Sequence, residues 1–314
     1  MGIKEWLFSK LKKPLVSENV RFSYSQQEIL KDISLNIKEK EIVAIIGKSG
    51  SGKSTFLKLI AGIIPKQKYG KIRIFGMPNF LGKNKVGFVP QDLSFIPDLS
   101  LMDNVRIAGL NLGVKEKDAI KRASELMKLL KLDEDMNKKP NQMSGGQKVR
   151  FNVILSLLHD PQIIILDEPF VGLDFLNRRL LWHFIGSMKR KKKSIVLTSH
   201  LLTEAQEHAD RLIILKDGRV FFNGNLEKLK KKLKMNFIFE VKFSKLTKDS
   251  LDKIKKFCVY KDIKILDYYE KYFMFGLQKE KNKNILLKLF DKLKLNYKET
   301  GFREPNLDET FLKA

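Results

Sequence analysis

The chain has 314 residues, and its 43% apolar content is enough for one large domain and one small domain. A single cysteine excludes an internal disulfide and favours a reducing compartment, and no apolar run approaches the roughly 20 residues of a membrane-spanning helix. The formal net charge of +25 is compatible with nucleic acid or anionic lipid as a partner. The lysines are spread along the whole chain without a nucleic-acid motif, so we favour an ordinary lysine-rich surface and expect no nucleic-acid partner. A contribution of this charge to binding at a membrane surface is the alternative.

Residues 1–14 are predicted to form a separate amphipathic segment that ends at Pro14. Its apolar residues fall near one helical face: Ile3, Trp6, Leu7 and Leu11. Two interpretations fit this pattern, a helix lying at a membrane surface and a short helix packed on protein.

A glycine-rich stretch, GKSGSGKST, stands between an apolar strand-like run at 42–46 and a helix-like run at 56–60. This arrangement is typical of a phosphate-binding loop, because glycines let backbone N–H groups converge and the following helix adds partial positive charge. Lys53 is then predicted to reach the outer phosphates, and the Ser54 hydroxyl to bind magnesium. The predicted nucleotide-binding residues of the loop are Gly47, Lys48, Ser49, Gly50, Ser51, Gly52, Lys53, Ser54 and Thr55.

Strands and helices alternate through the rest of the first two thirds of the chain. Apolar runs predict strands at 71–75, 86–89, 163–166, 194–198 and 211–215, and helices at about 120–130, 147–158 and 173–188. We therefore expect an α/β domain with a largely parallel sheet over residues 15–228, with a helical subdomain at about 93–160.

Residues 229–314 are predicted to form a small C-terminal α+β accessory domain. The composition changes near 226–234 to a leucine–lysine helix. Beyond it the pattern predicts strands at 237–243 and within 264–276, and helices at 248–257 and 283–295.

Two further motifs carry chemistry. MSGGQ, Met143 to Gln147, places two glycines before a helix and predicts a second anion site. IIILDEP, Ile163 to Pro169, is a buried strand that ends in two carboxylates. Because ligands bind at the carboxyl ends of parallel strands, Asp167 is placed to hold magnesium and Glu168 to polarise an attacking water.

These three motifs, in this order, resemble the nucleotide-binding subunit of ATP-binding cassette (ABC) transporters, over roughly residues 18–228. The resemblance implies an ATPase with a P-loop NTPase fold of the ABC type, built from a mixed sheet core and a helical subdomain. It also implies ATP and Mg²⁺ as cofactors.

The resemblance extends to four single residues. Tyr24 matches the aromatic residue that stacks on adenine, and Gln91 the glutamine that touches magnesium and the lytic water. Asp174 matches the acidic residue of a loop that crosses the dimer interface, and His200 the histidine that contacts the terminal phosphate. The catalytic set so implied is Glu168, His200 and Gln91, and the metal set is Ser54, Gln91 and Asp167.

The family also implies a partner subunit. Two ATP-binding subunits, in the simplest case identical, meet head to tail, so that the phosphate loop of one faces the signature of the other. The residues implied to act in trans are Ser144, Gly145, Gly146 and Gln147.

The leading interpretation is an energy-coupling subunit that docks on a separate membrane permease, peripherally at the cytoplasmic face of the cell membrane. The apolar segment Leu93–Leu101 is placed to receive a permease helix, and ordinary packing in the helical subdomain is its alternative. The ending EPNLDETFL, Glu304–Leu312, resembles the close of drug- and polysaccharide-exporter subunits. The alternative function is a soluble ABC-type ATPase that serves a scaffold, as in iron–sulfur cluster assembly.

Overall fold

The structure is a computed structural model, and it describes residues 13–64, 69–132, 135–200, 202–233 and 235–305. The predicted N-terminal helix and most of the Glu304–Leu312 segment lie outside these residues. The chain divides into two compact units, Met1–Asn223 and Gly224–Ala314, called unit 1 and unit 2. Among the described residues, no helix has both the length and the apolar character needed to cross a membrane.

The strands of unit 1 form two sheets. In chain order they are β1 (Leu15–Tyr24), β2 (Gln27–Ile37), β3 (Ile42–Ile46), β4 (Tyr69–Ile74), β5 (Met77–Pro78), β6 (Val86–Val89), β7 (Ile163–Leu166), β8 (Ser194–Thr198), β9 (Arg211–Lys216) and β10 (Arg219–Gly224). The first sheet has the order β2-β1-β4-β5 with antiparallel pairs, and the second has the order β10-β9-β3-β8-β7-β6.

Helices cover the sheets and build a separate cluster after β6. They are α1 (Lys53–Ile60), α2 (Asn79–Gly82), α3 (Leu101–Asn111), α4 (Glu116–Leu129), α5 (Gly145–Ser156), α6 (Phe175–Arg190) and α7 (Leu202–His208). Short 3₁₀ turns occupy Lys83–Lys85 and Pro140–Gln142. Helices α3, α4 and α5 lie within the range predicted for the helical subdomain.

The second sheet brings the predicted motifs to one edge. Strand β8 pairs in parallel with both β3 and β7, so the carboxyl ends of these three strands are neighbours. The phosphate loop follows β3, the two carboxylates follow β7, and His200 follows β8. All residues of β3, β7 and β8 are buried, because both faces of the sheet are covered.

The α/β prediction is confirmed, and the sheet is mixed, as the family resemblance implied. In the antiparallel first sheet, the sequence patterns predicted β4, as a strand at 71–75, but did not give the bounds of β1, β2 and β5. Its core is continuous with that of the second sheet: Leu15, Ile33 and Ile74 belong to the same buried cluster as Val43 and Ile165.

Unit 2 is an independent α+β layer. Its elements are α8 (Leu226–Leu233), β11 (Phe237–Phe243), α9 (Lys248–Tyr260), β12 (Lys264–Tyr269), β13 (Tyr272–Leu277), α10 (Lys281–Lys292) and β14 (Tyr297–Arg303). The strand order β12-β13-β11-β14, with antiparallel pairs throughout, is that of a split βαβ unit.

Aromatic side chains fill the core of unit 2. Phe243 meets Phe290 edge to face with ring centroids 5.0 Å apart, and Phe273 stacks on Phe275 at 5.7 Å. Cys258 is buried in this core, and burial raises the pKa of its thiol to about 12, so it is unreactive at neutral pH.

The predicted domain boundary at 228/229 falls inside α8, whereas the two compact units separate before this helix.

Candidate nucleotide-binding and hydrolysis site

The loop between β3 and α1 has the backbone that its glycines permit. Gly50 and Gly52 have φ of +77° and +99°. A Cβ on Gly52 would lie 2.6 Å from Leu30 Cδ2, so this position also requires the absence of a side chain. Lys53 is the first residue of α1 and is only 6% exposed. Its ammonium donates to the carbonyl oxygens of Gly47 and Lys48 at 2.8 and 3.3 Å.

A hydrogen-bonded cluster joins the phosphate loop to the end of β7. The Ser54 hydroxyl donates to Asp167 Oδ1 at 2.9 Å, and the Thr198 hydroxyl donates to the same oxygen at 2.8 Å. Thr198 Oγ1 also accepts the backbone N–H of Glu168 at 2.8 Å. Thr198 therefore orients both carboxylate-bearing residues. Sequence reasoning missed it, although it stands two residues before His200 at the end of a predicted strand.

Glu168 occupies an unusual position. It is 7% exposed and has a φ of +50°, a left-handed conformation that is uncommon for a residue with a long side chain. Its Oε1 lies 2.9 Å from His200 Nε2 and 3.9 Å from Lys53 Nζ. The structure thus brings Lys53, Glu168 and His200 together.

Burial has the largest effect on the pKa values of Glu168 and Lys53. It raises the pKa of Glu168; the charges of His200 and Lys53 act to lower this pKa, and the charge of Asp167 acts to raise it further. Burial also lowers the pKa of Lys53, against the attraction of Glu168 and Asp167. The site therefore favours a carboxyl group that binds a proton more readily than an ordinary glutamate, which is a property of a general base.

The predicted metal residues fit a magnesium ion in part. The Ser54 hydroxyl and the Asp167 carboxylate supply oxygen atoms at one point, and magnesium in nucleotide sites takes one or two carboxylates together with phosphates and water. Gln91 is exposed in the loop after β6 and lies outside this hydrogen-bonded cluster. In the described part of the chain, no group of three or more histidine, cysteine, aspartate or glutamate residues could hold a metal ion by itself.

The MSGGQ motif forms the capped start of α5. The Ser144 hydroxyl accepts the Gln147 N–H at 3.3 Å, and the Gln147 side-chain oxygen accepts the Ser144 N–H at 2.7 Å. A Cβ on Gly145 would meet no atom within 4 Å, so this helix end faces open space. A Cβ on Gly146 would lie 2.5 Å from the Asn177 amide, so Gly146 allows close packing on α6.

Asp174 caps α6. Its carboxylate accepts the backbone N–H and the side-chain N–H of Asn177, both at 2.8 Å, and these bonds lower its pKa. Tyr24 ends β1 with 49% of its surface exposed and meets Phe22 edge to face at 4.8 Å. Tyr24 and Asp174 lie outside the cluster around Lys53, and their predicted roles stay predictions.

Comparison with known proteins gives a consistent result. The sequence model of the ABC transporter family matches residues 30–171. The linearmycin resistance ATP-binding protein LnrL of Bacillus subtilis is 28% identical over 95% of this chain and 97% of its own length. The ergothioneine transport ATP-binding protein EgtV of Helicobacter pylori is 35% identical over 66% of this chain and 99% of its own length.

A solved structure shares the architecture of unit 1. It is the dimeric structure of MJ0796, described as a bacterial ABC transporter cassette, which is 32% identical with a TM-score of 0.62. The match covers 68% of this chain and 98% of that one. The same cassette has been solved as a dimer in a post-hydrolysis state with ADP and Pi.

Proposed function

Because the chain belongs to the ABC transporter family and is an ATP-binding subunit with ATPase activity, we propose that it drives a separate membrane permease by hydrolysing ATP in a head-to-tail dimer. The observation that carries this proposal is the convergence of the phosphate loop, Asp167, Glu168 and His200 at one edge of the sheet. The site combines a cradle for phosphates with a buried carboxylate next to the position of the terminal phosphate.

Hydrolysis requires a base and a stabilised leaving group. Lys53 and the N-terminus of α1 hold the negative phosphates. Water attacks the terminal phosphorus, Glu168 takes the water proton on its carboxylate, and the bond from this phosphorus to the bridging oxygen breaks to leave ADP and phosphate. Ser54 and Asp167 are the residues that would hold Mg²⁺, which neutralises phosphate charge when bound.

The second half of the site comes from another copy of the chain or a paralogue. The N-terminus of α5 is exposed at Ser144 and open at Gly145, so its N–H groups and dipole are accessible to phosphates held by a neighbour. MJ0796, a cassette similar to unit 1, has been solved as a dimer, which supports a dimer here. Gly146 packs on Asn177, and Asn177 is bonded to Asp174. The MSGGQ motif and the loop that carries Asp174 therefore lie side by side and form one surface.

A groove lined by both apolar and polar residues supports a permease partner. It has a volume of about 630 Å³ and is lined in part by Ile63, Phe88, Ala108 and Leu112. Ser94 of the Leu93–Leu101 segment also lines it. Leu93 and Ile96 in this segment are 43% and 44% exposed, so core packing does not account for their apolar character. This favours docking, with the chain peripheral at the cytoplasmic face of the membrane.

Export is the direction that the relatives favour. LnrL is named for resistance and matches nearly its whole length, including the region of unit 2. A transporter confers resistance when it moves a toxic compound out of the cell, so we assign this subunit to the exporter class. The identity of the transported compound depends on the permease.

Purification of the tagged chain from native membranes tests the proposal. A multi-spanning protein should copurify, and a double variant with Leu93→Asp and Ile96→Asp should lose it. Val259→Asp is the matched control, because Val259 is an apolar residue that is 83% exposed and is not part of the Leu93–Leu101 segment. Recovery of a soluble scaffold in place of a permease would instead establish the alternative function, an ATPase that acts on a non-membrane assembly.

A further inference from the structure

A carboxylate on the helix after His200 is bonded to the helix after Asp174, and Trp182 of the latter helix also packs on His208 of the former, with ring centroids 4.6 Å apart. We propose that this carboxylate, Glu204, is a positioning residue for hydrolysis, holding the His200, Asp174 and Glu168 segments in a common geometry. The inference rests on the roles proposed above for these three residues.

Both oxygens of Glu204 are used, and both donors belong to α6. Arg178 Nε donates to Oε1 at 2.8 Å, and Trp182 Nε1 donates to Oε2 at 2.8 Å. Two bonds from one rigid helix fix the carboxylate in position and in orientation. Glu204 lies on α7, four residues after His200 in the sequence, so these two bonds hold α7 against α6 close to His200 in the chain.

Arg178 extends the connection to Asp174. One of its terminal N–H groups donates to the Leu173 carbonyl oxygen at 2.8 Å, and Leu173 directly precedes Asp174. The guanidinium therefore bridges the Glu204 carboxylate and the backbone that carries the predicted dimer loop. A lysine in its place has one nitrogen and lacks the planar fork that serves both acceptors.

Trp182 extends the connection to Glu168. The indole is 6% exposed and stacks on Phe170 with centroids 4.5 Å apart and planes inclined by 26°. Phe170 is 4% exposed and stands two residues after Glu168. The second oxygen of Glu204 thus holds the ring against which the segment after the proposed base packs.

An ordinary ion pair between two helices is the competing explanation. The side chains of Glu204 and Arg178 are 25% and 27% exposed, so the pair is largely buried and loss of one partner can lower stability. A purely structural pair would therefore affect thermal stability and leave kcat of the folded protein unchanged. A positioning role predicts a defect in turnover that is out of proportion to any loss of stability.

The test compares Glu204→Gln with Glu207→Gln in the full-length protein. Glutamine keeps the shape but replaces one acceptor with an N–H₂ group that faces a donor. We expect kcat of Glu204→Gln to fall by about 10–100-fold, because small misplacements at a reacting centre cost this much. KM for ATP should stay close to the parent value, since the phosphate loop is untouched, and the variant should remain folded at the assay temperature even if its thermal midpoint falls. Glu207, exposed on the same helix, should tolerate the change.

Two further variants keep the test decisive. Trp182→Phe retains the stacked ring and removes only the N–H donor. If Glu204→Gln does not fold, kcat of Trp182→Phe is measured in its place and is expected to fall. Arg178→Lys should lower kcat as Glu204→Gln does, and the double variant should be no worse than either single one, because both remove the same link.

A parent-like kcat in Glu204→Gln would overturn the inference. A fall in kcat that unfolding at the assay temperature or weaker ATP binding fully explains would overturn it as well. Glu168→Gln, assayed in parallel, separates the two levels of explanation. If it abolishes turnover while Glu204→Gln does not lower it, the positioning role is wrong and the proposed base stands. If Glu168→Gln retains turnover, the proposed base itself is wrong.

Discussion

The chemistry of this protein rests on charged side chains that are withdrawn from water. Lys53 and Glu168 are each less than a tenth exposed and stand 3.9 Å apart, so burial and mutual attraction act on them in opposite directions. For both residues burial is the larger effect. The Glu168 carboxylate is consequently a stronger proton acceptor than an ordinary glutamate.

The raised pKa of Glu168 predicts a specific pH dependence. A base must be deprotonated to act, and protonation of Glu168 begins at higher pH than for an ordinary glutamate of pKa 4.5. The acid limb of kcat/KM for ATP should therefore lie above pH 4.5, with activity falling as the pH falls through it. A profile that stays flat down to this pH would contradict the assignment.

Replacement of the proposed base gives a second prediction at this scale. Glu168→Gln should lower ATP turnover by roughly 10²–10⁴-fold, as for removal of a general base. ATP binding should persist, because Lys53 and the loop amides are unchanged, and the variant should accumulate as an ATP-bound dimer. Turnover assays and light scattering with ATP measure both effects, with Glu207→Gln as the control. Unchanged turnover would remove Glu168 from the mechanism.

At the scale of elements, two adjacent glycines at the start of α5 have different surroundings. Gly145→Ala adds a methyl group in open space, so the thermal midpoint should not change, while ATP-dependent dimerisation and turnover should fall. Gly146→Ala forces its methyl group against Asn177 and should destabilise unit 1 by about 1–3 kcal/mol, as overpacking does. Thermal unfolding together with ATP-dependent dimerisation separates the two. Parent-like dimerisation of Gly145→Ala would contradict an interface at this helix end.

Elements were predictable where burial alone determines them. Strands 86–89, 163–166, 194–198 and 237–243 were predicted with their exact bounds, because uninterrupted or alternating apolar runs end at polar residues. Strand β14, YKETGFR, was missed because it is largely polar and is held by backbone pairing to β11 at the sheet edge.

The sequence predicted which residues lie together at this edge of the sheet, but not the hydrogen bonds that join them. Motif position predicted Lys53, Asp167 and Glu168, because the carboxyl ends of parallel strands meet at one edge, whereas His200 was implied by the family resemblance. Thr198 and Glu204 were missed, because the hydrogen bonds that they form depend on which strand or helix lies beside them. A single sequence does not contain that information. The roles predicted for Gln91 and Tyr24 rest on the family resemblance alone.

At the scale of the whole molecule, unit 1 contains the predicted phosphate loop with its carboxylates and, on a separate helix end, the exposed MSGGQ motif that is predicted to bind a second anion. A head-to-tail pair of chains would complete both sites at once, since each copy then supplies one half to its neighbour. This explains why the MSGGQ motif lies so far along the chain from the phosphate loop.

Complementation between two inactive copies tests this shared site most directly. Lys53→Ala and Ser144→Ala should each be inactive alone, and thermal unfolding checks that loss of the Ser144 cap leaves the fold intact. In an equal mixture about half of the dimers pair unlike copies, and each of these has one intact composite site. ATPase activity should therefore return on mixing, at up to about one quarter of the parent rate. Full activity in a strictly monomeric protein, or no recovery in mixtures shown to contain mixed dimers, would contradict the account.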